Sequence, residues 1–282
     1  MKTLRLYGAG LLATLLLTLA ACFPGGISGS GIGEAWTQRT STLTLLVNLA
    51  SVAYGKGLFV AVGEGGTILT SPRYSWTRRT SGTGNYLYGV TYGNGLFVAV
   101  GEGGTILTSP DGVSWTRRTS GTSNWLGGVT YGNGLFVAVG SGGTILTSPD
   151  GVSWTRRASG TGNKLNGVAY GKGLFVAEGL FVAVGEDGTI LTSPDGVSWT
   201  QQTSPVSKRT SPVTKILNGV TYGNGIFVAV GDFATILTSR DGKFWTLWAS
   251  PVVGRLLGVT YGDFQFVAVG GFPGIGIILT SP

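Results

Sequence analysis

From Trp36 onward, apolar and polar positions follow one motif that returns six times. The copy between Trp76 and Trp115 shows it plainly. Leu87 to Tyr92 reads as a first strand, a. Gly93-Asn94-Gly95 predicts a tight turn, because Asn-Gly accepts the positive φ that a short hairpin requires. Leu96 to Val100 (LFVAV) reads as strand b. It is apolar on both faces, and such a strand must be covered on both faces. The glycine-rich turn 101–104 leads to strand c, Thr105 to Thr108. Ser109-Pro110-Asp111-Gly112 predicts a further turn, and strand d starts near Trp115.

The equivalent tryptophans are Trp36, Trp76, Trp115, Trp154, Trp199 and Trp245, spaced by 40, 39, 39, 45 and 46 residues. The longer spacings come from a tandem copy (residues 174–179, then 180–185) and from an extra segment around Lys208-Arg209. Four strands in about 40 residues is the period of a β-propeller. The expected fold is all-β: a six-bladed propeller of four-stranded antiparallel blades. The third position of strand a is small in every copy (Ser51, Gly89, Gly128, Gly167, Gly219, Gly258), which fits inner strands crowding an axis. The repeat starts at strand d and stops after strand c, so the segment from Trp36 to Arg39 is expected to complete the last blade and close the ring. An open β-solenoid is the alternative.

Ahead of the repeats, Lys2 and Arg5 precede an apolar run from Leu6 to Leu19, shorter than the ~20 residues of a membrane-spanning helix. This is the order of a secretory signal. Leu19-Ala20-Ala21-Cys22 resembles the lipobox of bacterial lipoproteins. The resemblance implies a signal peptide over 1–21 and a lipidated Cys22; Gly/Ser-rich composition then reads as a flexible linker, giving 22–35 for Cys22 and linker, and the repeats give the propeller over 36–282. The resemblance also implies palmitate-type acylation and a lipid anchor in the bacterial cell envelope, facing an extracytoplasmic compartment. An ordinary signal peptide with a chance cysteine is the alternative.

Composition removes several chemistries. The chain has no histidine and one cysteine, which leaves no Ser-His-Asp or Cys-His catalysis, no His-ligated metal and no internal disulfide. No metal and no cofactor is expected. The net charge is +7 and only 11% of residues are charged. The Arg-Arg pairs (78–79, 117–118, 156–157) fall on the outermost strand, where charge blocks edge-to-edge pairing; a basic belt for acidic surfaces is the functional alternative. No nucleic-acid motif appears.

Ser-Pro-Asp-Gly-x-x-Trp recurs at 109–115, 148–154 and 193–199, with a variant at 239–245. Proline presets a turn dihedral, Asp bonds amides ahead of it and Gly tolerates positive φ. This resembles the Asp-box, or BNR, repeat of sialidase-like propellers, and the whole unit resembles photosystem-II-assembly-factor-like propellers. The resemblance implies structural turn roles for Asp111, Asp150, Asp195 and Asp241, away from the ligand face. It does not fix an activity.

Variation concentrates at the end formed by the d–a and b–c connections. Asn48, Tyr86, Trp125, Lys164, Ile216 and Arg255 stand just before strand a. Ala50, Tyr88, Gly127, Asn166, Asn218 and Leu257 stand two positions later, and the b–c turns add Glu64, Glu102, Ser141, Glu186 and Asp232. Aromatics mixed with amides and charges around a concave mouth suit a protein or glycan ligand. Tyr86, Tyr88, Trp125, Lys164, Asn166, Arg255, Glu64, Glu102, Glu186 and Asp232 are the candidate binding residues. The expectation is a monomeric, non-enzymatic binding or scaffolding module of the envelope, with no catalytic residue. A sialidase-like glycoside hydrolase using Glu64 and Glu102, and a structural protein without a ligand, are the alternatives.

Overall fold

A computed structural model describes residues 47–73, 75–172, 179–207, 215–272 and 275–281. The chain forms six antiparallel sheets arranged radially, a six-bladed β-propeller. The inner strands a are Leu49–Gly55, Leu87–Gly93, Leu126–Gly132, Leu165–Gly171, Leu217–Gly223 and Arg255–Gly262. Sheets 1 to 5 have four strands in sequence order, and sheet 6 has three among the described residues. Its expected fourth strand, Trp36 to Arg39, lies outside them, as do Cys22 and the signal segment.

Local chemistry sets each element. In sheet 2, strand b is Leu96–Gly101 and strand c is Ile106–Ser109. Strand d, Thr116–Arg118, starts next to Trp115, as expected. The b–c turn is a single 3-10 turn, Glu102–Gly104, in which Gly103 and Gly104 take φ of 58° and 65°. In sheet 4 the strand is built from the second of the tandem copies, Leu180–Gly185, and residues 173–178 lie outside the described set.

Strand b carries the core. Phe97, Val98, Ala99 and Val100 have no exposed surface. One face meets the preceding sheet and the other the following sheet, each fully buried Val or Phe side chain contributing roughly 2 kcal/mol. At the junction of sheets 1 and 2, Val60, Val62 and Ile68 pack on Leu87, Val90, Phe97, Ala99 and Leu107, with Trp115 against them.

Glycine sets the spacing between sheets at two levels. At mid-strand, a Cβ on Gly89 would stand 3.3 Å from the Cα of Gly128, and the contact repeats from Gly128 to Gly167, Gly167 to Gly219 and Gly219 to Gly258. At the strand end, a Cβ on Gly93 would lie 2.1 Å from Cγ of Tyr131, so each tyrosine ring sits on the bare backbone of the sheet before it. Five such junctions join consecutive inner strands. Among the described residues, the inner strands of sheets 6 and 1 do not pack on each other in this way. Ile278 pairs with Val269 as Ile68 pairs with Val62, yet Ile278 is 58% exposed and Ile68 is fully buried.

Candidate functional site

The Asp-box turns are built alike. One oxygen of Asp111 accepts hydrogen bonds from Ser109 Oγ (2.9 Å), the Val113 amide (2.8 Å) and the Ser114 amide (2.8 Å). The same three bonds hold Asp150, Asp195 and Asp241. Trp115 Nε1 donates to the carbonyl of Gly112, tying the indole to its own turn. Bonds from the Ser114 and Val113 amides and the Ser109 hydroxyl favour the ionised carboxylate, holding the Asp111 carboxyl at about 2. Each turn also locks onto the previous sheet: a Cβ on Gly112 would lie 2.6 Å from Leu58 Cδ2, and Lys56 Nζ donates to the Pro110 carbonyl. These turns lie at the a–b and c–d end.

The variable residues gather at the opposite end, and the backbone explains why they come in pairs. The residue before strand a accepts a hydrogen bond from the amide opening the b–c turn. Asn48 pairs with Glu64, Tyr86 with Glu102, Trp125 with Ser141, Lys164 with Glu186 and Ile216 with Asp232, each at 2.9 Å. An asparagine repeated at 85, 124 and 163 steadies the same turn, its side chain donating to Thr105, Thr144 and Thr189 Oγ1. Sequence reasoning missed these asparagines. Their recurrence two residues before strand a was the available signal.

Across sheets 2, 3 and 4 the paired positions form one ladder. Tyr86 stacks on Tyr88, with centroids 4.5 Å apart and planes 11° from parallel. Tyr88 meets Trp125 edge-on at 4.9 Å. Lys164 Nζ stands 3.9 Å above the Trp125 ring, a cation–π contact. Trp125 reaches this place because position 127 is glycine: a Cβ there would come within 2.3 Å of the indole. Glu102 braces the tyrosines, accepting from the Tyr88 hydroxyl (3.0 Å) and the Tyr86 amide (3.1 Å). Partial burial raises both phenols' pKa first, followed by Glu64 for Tyr86 and by the Glu102 bond for Tyr88.

The other candidates make contacts of their own. Asp232 accepts from Asn218 Nδ2 (3.0 Å) and Arg255 Nε (2.8 Å), linking sheets 5 and 6. Asn166 Nδ2 donates to the Leu217 carbonyl, and Asn218 Nδ2 to that of Leu256. Both amides therefore clamp one inner strand to the next. Glu64 accepts from Asn48, and Glu186 from the Lys164 amide. Among the described residues no group of three or more His, Cys, Asp or Glu side chains is placed to hold a metal.

No protein-family model and no curated protein matches this chain. Solved structures do. The chain is similar to YCF48 bound to a D1 peptide, with a TM-score of 0.63 and 18% identity over 85% of this chain and 79% of that one. It is similar to YCF48 from Cyanidioschyzon merolae, with a TM-score of 0.61 and 17% identity over 85% and 83%. It is also similar to the computationally designed Ika8 protein, with a TM-score of 0.57 and 14% identity over 82% and 70%. At these identities the likeness is one of fold, and it places this chain among the β-propellers.

Proposed function

We propose that this protein is a non-enzymatic binding module that captures an extended segment of a partner protein at the mouth built by its d–a and b–c connections. The ladder of Tyr86, Tyr88, Trp125 and Lys164 carries this reading. It is braced at one end by Glu102 and laid over glycine at Gly127. Rigid aromatic side chains offer large contact area at little entropic cost. A propeller of similar fold has been solved with a peptide bound, which supports a protein ligand over a glycan. The lipobox-like segment ending in Cys22 supports anchoring of the module to a membrane of the bacterial envelope.

Trp125→Ala and Tyr88→Ala chains should lose at least tenfold in affinity for the partner recovered with the parent chain, while melting within a few degrees of it. Undiminished capture by both variants sinks the site. Turnover of a glycoside panel, lost in Glu102→Gln, would favour the hydrolase reading instead. Release of the Cys22→Ser chain from the membrane fraction tests the anchor separately.

A further inference from the structure

The outer wall loses its charge at sheet 4, where strand d is Thr200–Gln201, and turns apolar at sheet 5. Sheets 1, 2 and 3 carry Thr-Arg-Arg on strand d, whereas sheet 5 carries Thr246-Leu247-Trp248. In the turn before it, Arg240 stands where sheet 2 has Pro110, Lys243 where it has Val113, and Phe244 where it has Ser114. All six side chains are exposed, Phe244 to 81% and Trp248 to 57%. An exposed edge strand is ordinarily defended by charge. Here the charge has left the strand and flanks an aromatic tip.

Folding does not demand the exchange. Trp248 Nε1 donates to Thr238 Oγ1 at 2.8 Å, and in sheet 2 Arg118 Nε makes the same bond to Thr108 at 2.8 Å. The carboxylate of Asp241 is turned inward, onto the Lys243 and Phe244 amides. At the same end of the molecule, Phe264 occupies the hairpin position where sheets 1, 2, 3 and 5 have Gly57, Gly95, Gly134 and Gly225. It is 86% exposed at φ 62°, a left-handed conformation costing roughly 1 kcal/mol. Rings and aliphatic side chains beside Lys and Arg make up an interfacial segment: the rings settle at headgroup depth and the cations meet anionic headgroups.

We propose that the c–d hairpin of sheet 5, residues 239–248, seats Phe244, Leu247 and Trp248 in the headgroup layer of an anionic lipid bilayer. Arg240 and Lys243 meet the lipid phosphates. The mouth carrying Trp125 lies at the other end of the sheets and is thereby turned toward the aqueous phase. This docking is independent of acylation at Cys22, which would fix proximity but not orientation.

The test uses the full chain on phosphatidylglycerol–phosphatidylcholine vesicles with brominated acyl chains. Bromine should quench part of the parent's tryptophan emission. Trp248→Arg, which restores the residue of sheet 2 and keeps a donor to Thr238, should lose that part. Phe244→Trp should gain quenching, and Val113→Trp, on the matching turn of sheet 2, should gain none. The Arg240→Glu, Lys243→Glu pair should weaken association with phosphatidylglycerol vesicles several-fold and leave that with pure phosphatidylcholine unchanged. Equal quenching in the parent and Trp248→Arg, or at positions 113 and 244, overturns the proposal. A lipid-free dimer abolished by Leu247→Arg with Trp248→Arg would make the hairpin an interface between copies and overturn it equally.

Discussion

Single atoms decide much of this architecture, and the glycines show it. Gly93 and Gly95 lie two residues apart with opposite requirements. A Cβ at Gly93 meets the Tyr131 ring at 2.1 Å, while one at Gly95 meets nothing within 4 Å but sits at φ 77°. Gly93→Ala should therefore cost about 3 kcal/mol, at the upper end of overpacking, because two inner strands must part. Gly95→Ala should cost about 1 kcal/mol, the penalty of the left-handed conformation alone. Chemical denaturation of the two variants measures the difference, and equal costs would contradict the ring-on-glycine packing.

The Asp-box carboxylates add a pH dependence of definite sign. Amide and hydroxyl donors hold the Asp111 carboxyl at about 2, below the unfolded value of about 3.9. Asp150, Asp195 and Asp241 are lowered in the same direction. Their contribution is present above about pH 4 and lost as pH falls toward 2. Chemical denaturation repeated at falling pH should show the parent's stability declining across that window. Asp111→Asn combined with Asp195→Asn should flatten the slope there, while a slope identical to the parent's would remove these carboxylates from the acid transition.

At the scale of the element, strands and turns were legible because each is punctuated locally. The two-sided LFVAV strand, the Asn-Gly hairpin and the Ser-Pro-Asp-Gly turn announce themselves without reference to neighbours. The pairing of variable positions was legible only in part. Tyr86, Trp125 and Glu102 can be assigned to one end from topology. That Trp125 lies over Gly127 and under Lys164 depends on rotamers chosen across three sheets. Asn166 read as a ligand residue because an amide before a concave mouth looks available. Its partner, the Leu217 carbonyl, lies on the following sheet 51 residues away. No local pattern reports such a bond.

For the molecule as a whole, five equivalent junctions make stability close to a sum over neighbours, as in repeat proteins. Sheets 2, 3 and 4 are covered on both sides. Sheet 6 carries Ile275 and Ile278 exposed at 67% and 58%. Hydrogen exchange should accordingly be slowest in strand b of sheets 2 to 4 and at least tenfold faster in Gln265–Phe272 of sheet 6. Uniform protection would mean that the last sheet is covered as well as the rest.

The threonine of strand c, buried in sheets 1 to 4 and half-buried in sheet 5, has a wider consequence. Thr70, Thr108, Thr147, Thr192 and Thr238 each take one N–H from the outer strand, supplied by Arg79, Arg118, Arg157, Gln202 and Trp248 in turn. Guanidinium, amide and indole are interchangeable plugs for one socket. The perimeter can be rewritten residue by residue, from cationic through neutral to greasy, with the bond to the threonine kept. A freshly duplicated unit thus arrives with a blank outer margin, and the contrast between the first sheets and the fifth records what such a margin can become.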